Sequence, residues 1–79
     1  MSAAVLNKLK AAIKKHGFSF NESQTKTTFK QLGIDSIRGF TIIMDLEDDF
    51  GVQIPEDKLK TINTPEDLIN IFDELLKNK

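Results

Sequence analysis

The chain has no cysteine, only one histidine and one arginine, and no long hydrophobic run. Without cysteine, neither a disulfide nor a thiolate metal site can hold the fold. Any thiol chemistry must then be supplied by a prosthetic group. No apolar stretch approaches the ~18 residues of a membrane span. The N-terminal apolar residues are periodic and interrupted by lysines, unlike a secretory signal. The expectation is a cytoplasmic protein without membrane insertion. A lone His16 has no second histidine with which to share a metal, and reads as a helix-end dipole partner or a solvated residue. Repeats and low-complexity segments are also missing.

What is present fits one small domain over residues 1–79. A chain of this size buries only ~60% of the surface that it exposes when unfolded. Its stability is expected at roughly 4 to 12 kcal/mol. Such a core leaves little room for a deep catalytic cavity, so a carrier or interaction role is more natural than an enzyme. The net charge of −1 hides an asymmetry. Residues 1–33 hold six lysines against Glu22, a balance of +5. Residues 34–79 hold five basic residues against eleven acids, a balance of −6. The basic part reads as a solvated helix face. It lacks the arginines and exposed aromatics of a nucleic-acid platform, so no nucleic-acid partner is expected.

Val5, Leu6, Leu9, Ala12 and Ile13 recur at helical spacing, which predicts a first helix from about Ala3 to His16. Ser2 is its expected N-cap and Gly17 its left-handed C-cap. Residues 18–35 have no long period. They read as a long connection pinned by Phe18, Phe20, Phe29, Leu32 and Ile34, with an exposed stretch from Ser23 to Thr28 and a short helical turn near Thr28 to Gln31. A second helix is expected from about Ser36 to Phe50 and ends at Gly51. Ile54-Pro55 is extended, and Glu56 to about Lys60 suits one short turn with Leu59 buried. Thr64-Pro65-Glu66-Asp67 is a strong helix start, with a threonine cap and proline at the first helical position. Leu68, Ile69, Phe72, Leu75 and Leu76 give the last helix its apolar face. The predicted fold class is all-α: a small four-helix bundle of three main helices and one short one, with a long first loop.

The second helix has two apolar stripes where one core needs one. At about 100° per residue, Ile42, Ile43, Leu46 and Phe50 share one face and are assigned to the core. Ile37, Phe40 and Met44 share another, beside Ser36. They read as an exposed strip rimmed by Glu47 and Asp48, the kind of surface that meets partners. Taken alone, Ser36 is a candidate N-cap, with Asp35 competing for the same role. A serine hydroxyl at a helix start also lies where free N–H groups and the macrodipole favour negative charge, so a phosphodiester there is electrostatically well placed.

Leu32-Gly33-Ile34-Asp35-Ser36-Ile37, followed by Met44-Asp45-Leu46-Glu47-Asp48-Asp49-Phe50 and Ile54-Pro55, resembles the acyl carrier protein family. The resemblance covers nearly the whole chain. It implies that Ser36 is esterified by 4′-phosphopantetheine, transferred from coenzyme A by a phosphopantetheinyl transferase, with Asp35 as its acidic neighbour. It implies a non-catalytic, monomeric carrier whose arm presents acyl groups as thioesters to acyl-transferring or synthase enzymes. Ile37, Phe40, Met44, Glu47 and Asp48 match positions that family members use against partners. Arg38 and Thr41, also expected to face partners, stand where the family usually has acids. Gly39 inside the helix costs about 1 kcal/mol relative to alanine, and the chain is near neutral where relatives are commonly acidic. These departures imply a specialised carrier with dedicated partners. Fatty-acyl, polyketide, aminoacyl and lipid-modifying pathways are all compatible with it.

Two other readings compete. Asp45, Glu47, Asp49 and Glu56 fall at positions 1, 3, 5 and 12 of an EF-hand count, but Phe50 stands at position 6, where the turn needs glycine. An unmodified helical interaction module shares the fold and the exposed strip. An enzyme proper is disfavoured, because no nucleophile, base and orienting residue form an evident set.

Overall fold

Caps fix where the helices begin and end. The computed structural model describes residues 3–78; the expected Ser2 cap lies outside them. The order is α1 (Ala3–Lys15), a single 3-10 turn (Glu22–Gln24), α2 (Ser36–Phe50), α3 (Glu56–Leu59) and α4 (Pro65–Lys77), with no strand among the described residues. Helix α1 stops one residue earlier than its periodicity suggests. Phe18 N–H bonds to Ile13 O at 3.1 Å and Gly17 N–H to Lys14 O at 3.0 Å, with Gly17 at φ 88°. That is a Schellman closure, which satisfies the last carbonyls and needs a residue at ease with positive φ.

Helix α4 starts as expected. Asp67 N–H donates to Thr64 Oγ1 at 3.1 Å, and Asp67 Oδ2 accepts from Thr64 N–H at 3.1 Å. Pro65 occupies the first turn, where its missing N–H costs nothing.

The core is built from Val5, Leu9, Ala12 and Ile13 of α1, Ile42, Ile43 and Leu46 of α2, and Leu68, Ile69 and Phe72 of α4. Ile34 and Ile54 enter it from the connections. Helix α1 packs against both α2 and α4. Phe50, Leu59, Leu75 and Leu76 lie at its margin, half-buried rather than enclosed. Phe50 meets the ring of Phe72 at a centroid distance of 5.4 Å.

The long connection differs from expectation in its details. It has a 3-10 turn at Glu22–Gln24 that the periodicity does not suggest, in addition to the expected turn that starts at Thr28. Asn21 Oδ1 accepts from Ser23 N–H and Gln24 Oε1 accepts from Asn21 N–H, each at 3.0 Å, so this pair closes a capping box on itself. Near Thr28 the expected single turn forms: Thr28 Oγ1 accepts from Gln31 N–H and Gln31 Oε1 from Thr28 N–H, each at 3.1 Å, and Leu32 N–H bonds to Thr28 O at 3.1 Å, with turns continuing to residue 33. Thr25, Thr27 and Thr28 are half-buried rather than exposed. The reason is docking onto the start of α4: Glu66 N–H bonds to Thr25 O at 2.8 Å and Phe29 N–H to Asn63 O at 2.9 Å.

Candidate functional site

The approach to α2 positions the serine. Gly33 turns the chain at φ 84°, Ile34 is buried as an anchor, and Asp35 is extended. Asp35 Oδ1 accepts from Arg38 N–H at 2.7 Å, and Asp35 O accepts from Gly39 N–H at 2.8 Å. Asp35 is therefore the N-cap, and Ser36 is the first residue inside the helix. The capping role that competes for Ser36 is already filled. Ser36 is exposed, and its hydroxyl has no hydrogen-bond partner among the described residues.

Beside Ser36 lies a cleft of about 220 Å³. Ile43, Gly39 and Phe40 of α2, Leu59 of α3, and Phe29, Ile34 and Ile62 of the connections line it, with Asp35 and Ser36 at its edge. Its walls come from segments distant in sequence, so the helical periodicities give no sign of it. The one local signal is Gly39. A Cβ there would come within 3.7 Å of Ile34 Cγ2, an ordinary contact, so glycine is not forced by packing. Its smallness keeps that wall low.

The exposed strip is present. Ile37, Phe40 and Met44 are 76%, 51% and 48% exposed. Arg38 and Thr41 also face solvent. Thr41 Oγ1 donates back to Ile37 O at 3.0 Å, so its hydroxyl is used within the helix. The rim is less open than expected. Asp48 is exposed, but Glu47 is half-buried, and its Oε2 accepts from Ile54 N–H at 2.7 Å.

His16 is neither solvated nor a simple dipole partner. Its Nε2–H donates to Asp45 Oδ2 at 2.7 Å, and Lys15 Nζ lies 3.6 Å from the same oxygen. The hydrogen bond from His16, aided by the charge of Lys15, holds the Asp45 carboxyl below the usual carboxylate range. The EF-hand reading does not survive. Residues 45–50 remain helical where a calcium loop must turn, and Asp45 and Glu47 are committed elsewhere. Among the described residues no three acidic, histidine or cysteine side chains gather to hold a metal. No helix of the described residues is long and apolar enough to cross a membrane.

The site suits a phosphodiester. Ser36 offers an accessible oxygen, and the N–H groups of Ser36 and Ile37 have no protein partner among the described residues. Such unpaired N–H groups at a helix start attract anions.

The sequences of known proteins identify the family. Residues 4–72 match the family described as the phosphopantetheine attachment site. The acyl carrier protein homolog of Ureaplasma parvum is 36% identical over 77 residues, covering 98% of this chain and all of that protein. The acyl carrier protein of Micrococcus luteus is 38% identical over 58 residues, 72% of each chain. A chloroplastic acyl carrier protein 2 of Hordeum vulgare is 40% identical over 55 residues, 70% of this chain and 43% of its own length. A match of this extent, on a helical fold with a serine at the start of its second long helix, establishes that the chain belongs to the acyl carrier protein family.

Proposed function

We propose that Ser36 carries the 4′-phosphopantetheine arm and that the protein shuttles acyl intermediates among partner enzymes without catalysing a reaction itself. The observation that carries this reading is the free, exposed Ser36 hydroxyl at a helix start whose capping role Asp35 has taken. Bound there, the arm supplies the thiol that this cysteine-free chain lacks, and acyl groups travel on it as thioesters. Asp35 holds the first turn of α2 in place, so that the Ser36 oxygen is presented at a fixed point. The N–H groups of Ser36 and Ile37 balance the phosphodiester charge. The apolar cleft beside Ser36 shelters part of the acyl chain from water.

The working unit is a single domain, residues 1–79, acting as a cytoplasmic monomer. Its partners are a phosphopantetheinyl transferase and acyl-transferring or synthase enzymes of a fatty-acid, polyketide or related pathway. They meet the strip of Ile37, Phe40 and Met44, flanked by Arg38, Thr41, Glu47 and Asp48.

Intact mass tests this. Protein incubated with coenzyme A and a phosphopantetheinyl transferase gains one arm, and Ser36→Ala gains none. If wild type stays unmodified with several transferases, and carries nothing when purified from its own cell, the fold serves as an unmodified interaction module.

A further inference from the structure

The charge of Arg38 has no use within the fold. It lies in the first turn of α2, where the macrodipole disfavours a cation. Its side chain is exposed and makes no ion pair among the described residues. The neighbouring Asp35 carboxylate accepts from the Arg38 backbone instead. The helical neighbours toward the C-terminus, Thr41 and Ile42, carry no charge. Asp45, two turns on, is held by His16 and Lys15. Nor does Arg38 face the serine. At about 100° per residue it stands roughly 200° around α2 from Ser36, so it is not poised to neutralise a group on that oxygen.

Arg38 lies across Thr41 from the apolar strip, on the flank of the exposed face opposite Ser36. Ile37, Phe40 and Met44 run along the middle of that face toward Asp48. The sign of charge along this face thus reverses, from the exposed cation in the first turn of α2 to the exposed carboxylate of Asp48 at the far end. Any enzyme that loads Ser36 must bring its active site over the first turn of α2, within about one helical pitch of Arg38 (~5.4 Å).

The geometry points to a transferase whose docking face spans the exposed side of α2, with an apolar trough for Ile37, Phe40 and Met44 and, across Thr41 from it, a carboxylate opposite Arg38. This rests on the carrier reading and names the chemistry of its loading partner. Complementary charge at such a rim acts through encounter rate and salt dependence.

The test uses the full-length apo protein, coenzyme A and the phosphopantetheinyl transferase from the same cell. Arg38→Glu should lower kcat/KM for loading about tenfold at low salt, mainly through KM, and the deficit should shrink as salt rises. Arg38→Lys should stay within about twofold, since it keeps the charge. Misfolding would not mimic this, because a glutamate in the first turn suits the macrodipole; circular dichroism and thermal unfolding check it. Loading of Arg38→Glu at or above the wild-type rate overturns the inference while the carrier reading stands. If the wild-type chain takes no arm at all, the carrier reading fails first and the inference falls with it.

Discussion

His16 Nε2 sits 2.7 Å from Asp45 Oδ2 and joins the end of α1 to the middle of α2 across 29 residues of sequence. The histidine side chain is 19% exposed and the aspartate 31%, so water screens the contact only in part. Removing the donor in His16→Ala should cost about 1 kcal/mol at neutral pH, read by urea unfolding.

The same pair sets an acid dependence. The Asp45 carboxyl is held below its ordinary value, chiefly by the His16 hydrogen bond. A carboxyl whose pKa is lower in the folded chain contributes stability that is complete above its unfolded value. That contribution is lost as pH falls through the folded value. The contribution should be intact from neutral pH down to about pH 4 and decline below it. Asp45→Asn should flatten this limb of the stability curve; an unchanged acid limb would refute the link.

Division of labour between Asp35 and Ser36 makes their substitutions separable. Asp35 caps α2, so Asp35→Ala should cost about 1 kcal/mol in thermal unfolding. Ser36 has no side-chain partner to lose among the described residues, so Ser36→Ala should change stability by less than about 0.5 kcal/mol while abolishing loading.

Gly39 weakens α2 and helps to shape the cleft at once. Gly39→Ala should stabilise the apo protein by up to about 1 kcal/mol, because the new methyl meets Ile34 only at ordinary contact distance. The methyl also raises one wall of the cleft. An acylated form should therefore gain less thermal stability over apo in the alanine variant than in wild type. Equal gains would mean that the chain does not enter there.

Most of the helical frame is readable from local signals. The capping box at Thr64 and Asp67, the glycines after α1 and α2, and the two stripes of α2 depend on residues within a turn or two of each other. The exposed strip was legible for the same reason: a single core cannot cover both stripes. The connection before α2 was legible only at its Thr28–Gln31 turn. Its earlier turn is placed by the Asn21 and Gln24 pair, and its burial by hydrogen bonds to Asn63 and Glu66, which no periodicity announces. The cleft is hidden likewise, since Phe29, Leu59 and Ile62 meet only when the chain has folded. His16 misled because its partner lies on another helix.

Glu47 offers the sharpest separation of fold from recognition. Its carboxylate accepts from the N–H of buried Ile54 at 2.7 Å and so pins the extended segment after α2. Glu47→Ala would leave that donor without its acceptor and should cost about 1 to 3 kcal/mol. Glu47→Gln keeps an oxygen in place and removes the charge, so most of that stability should return. If partners read the charge of Glu47, the glutamine variant should load more slowly despite being stably folded. If its loading equals wild type while alanine alone is impaired, the residue acts through the fold, and Asp48 is left as the free carboxylate at that end of the strip.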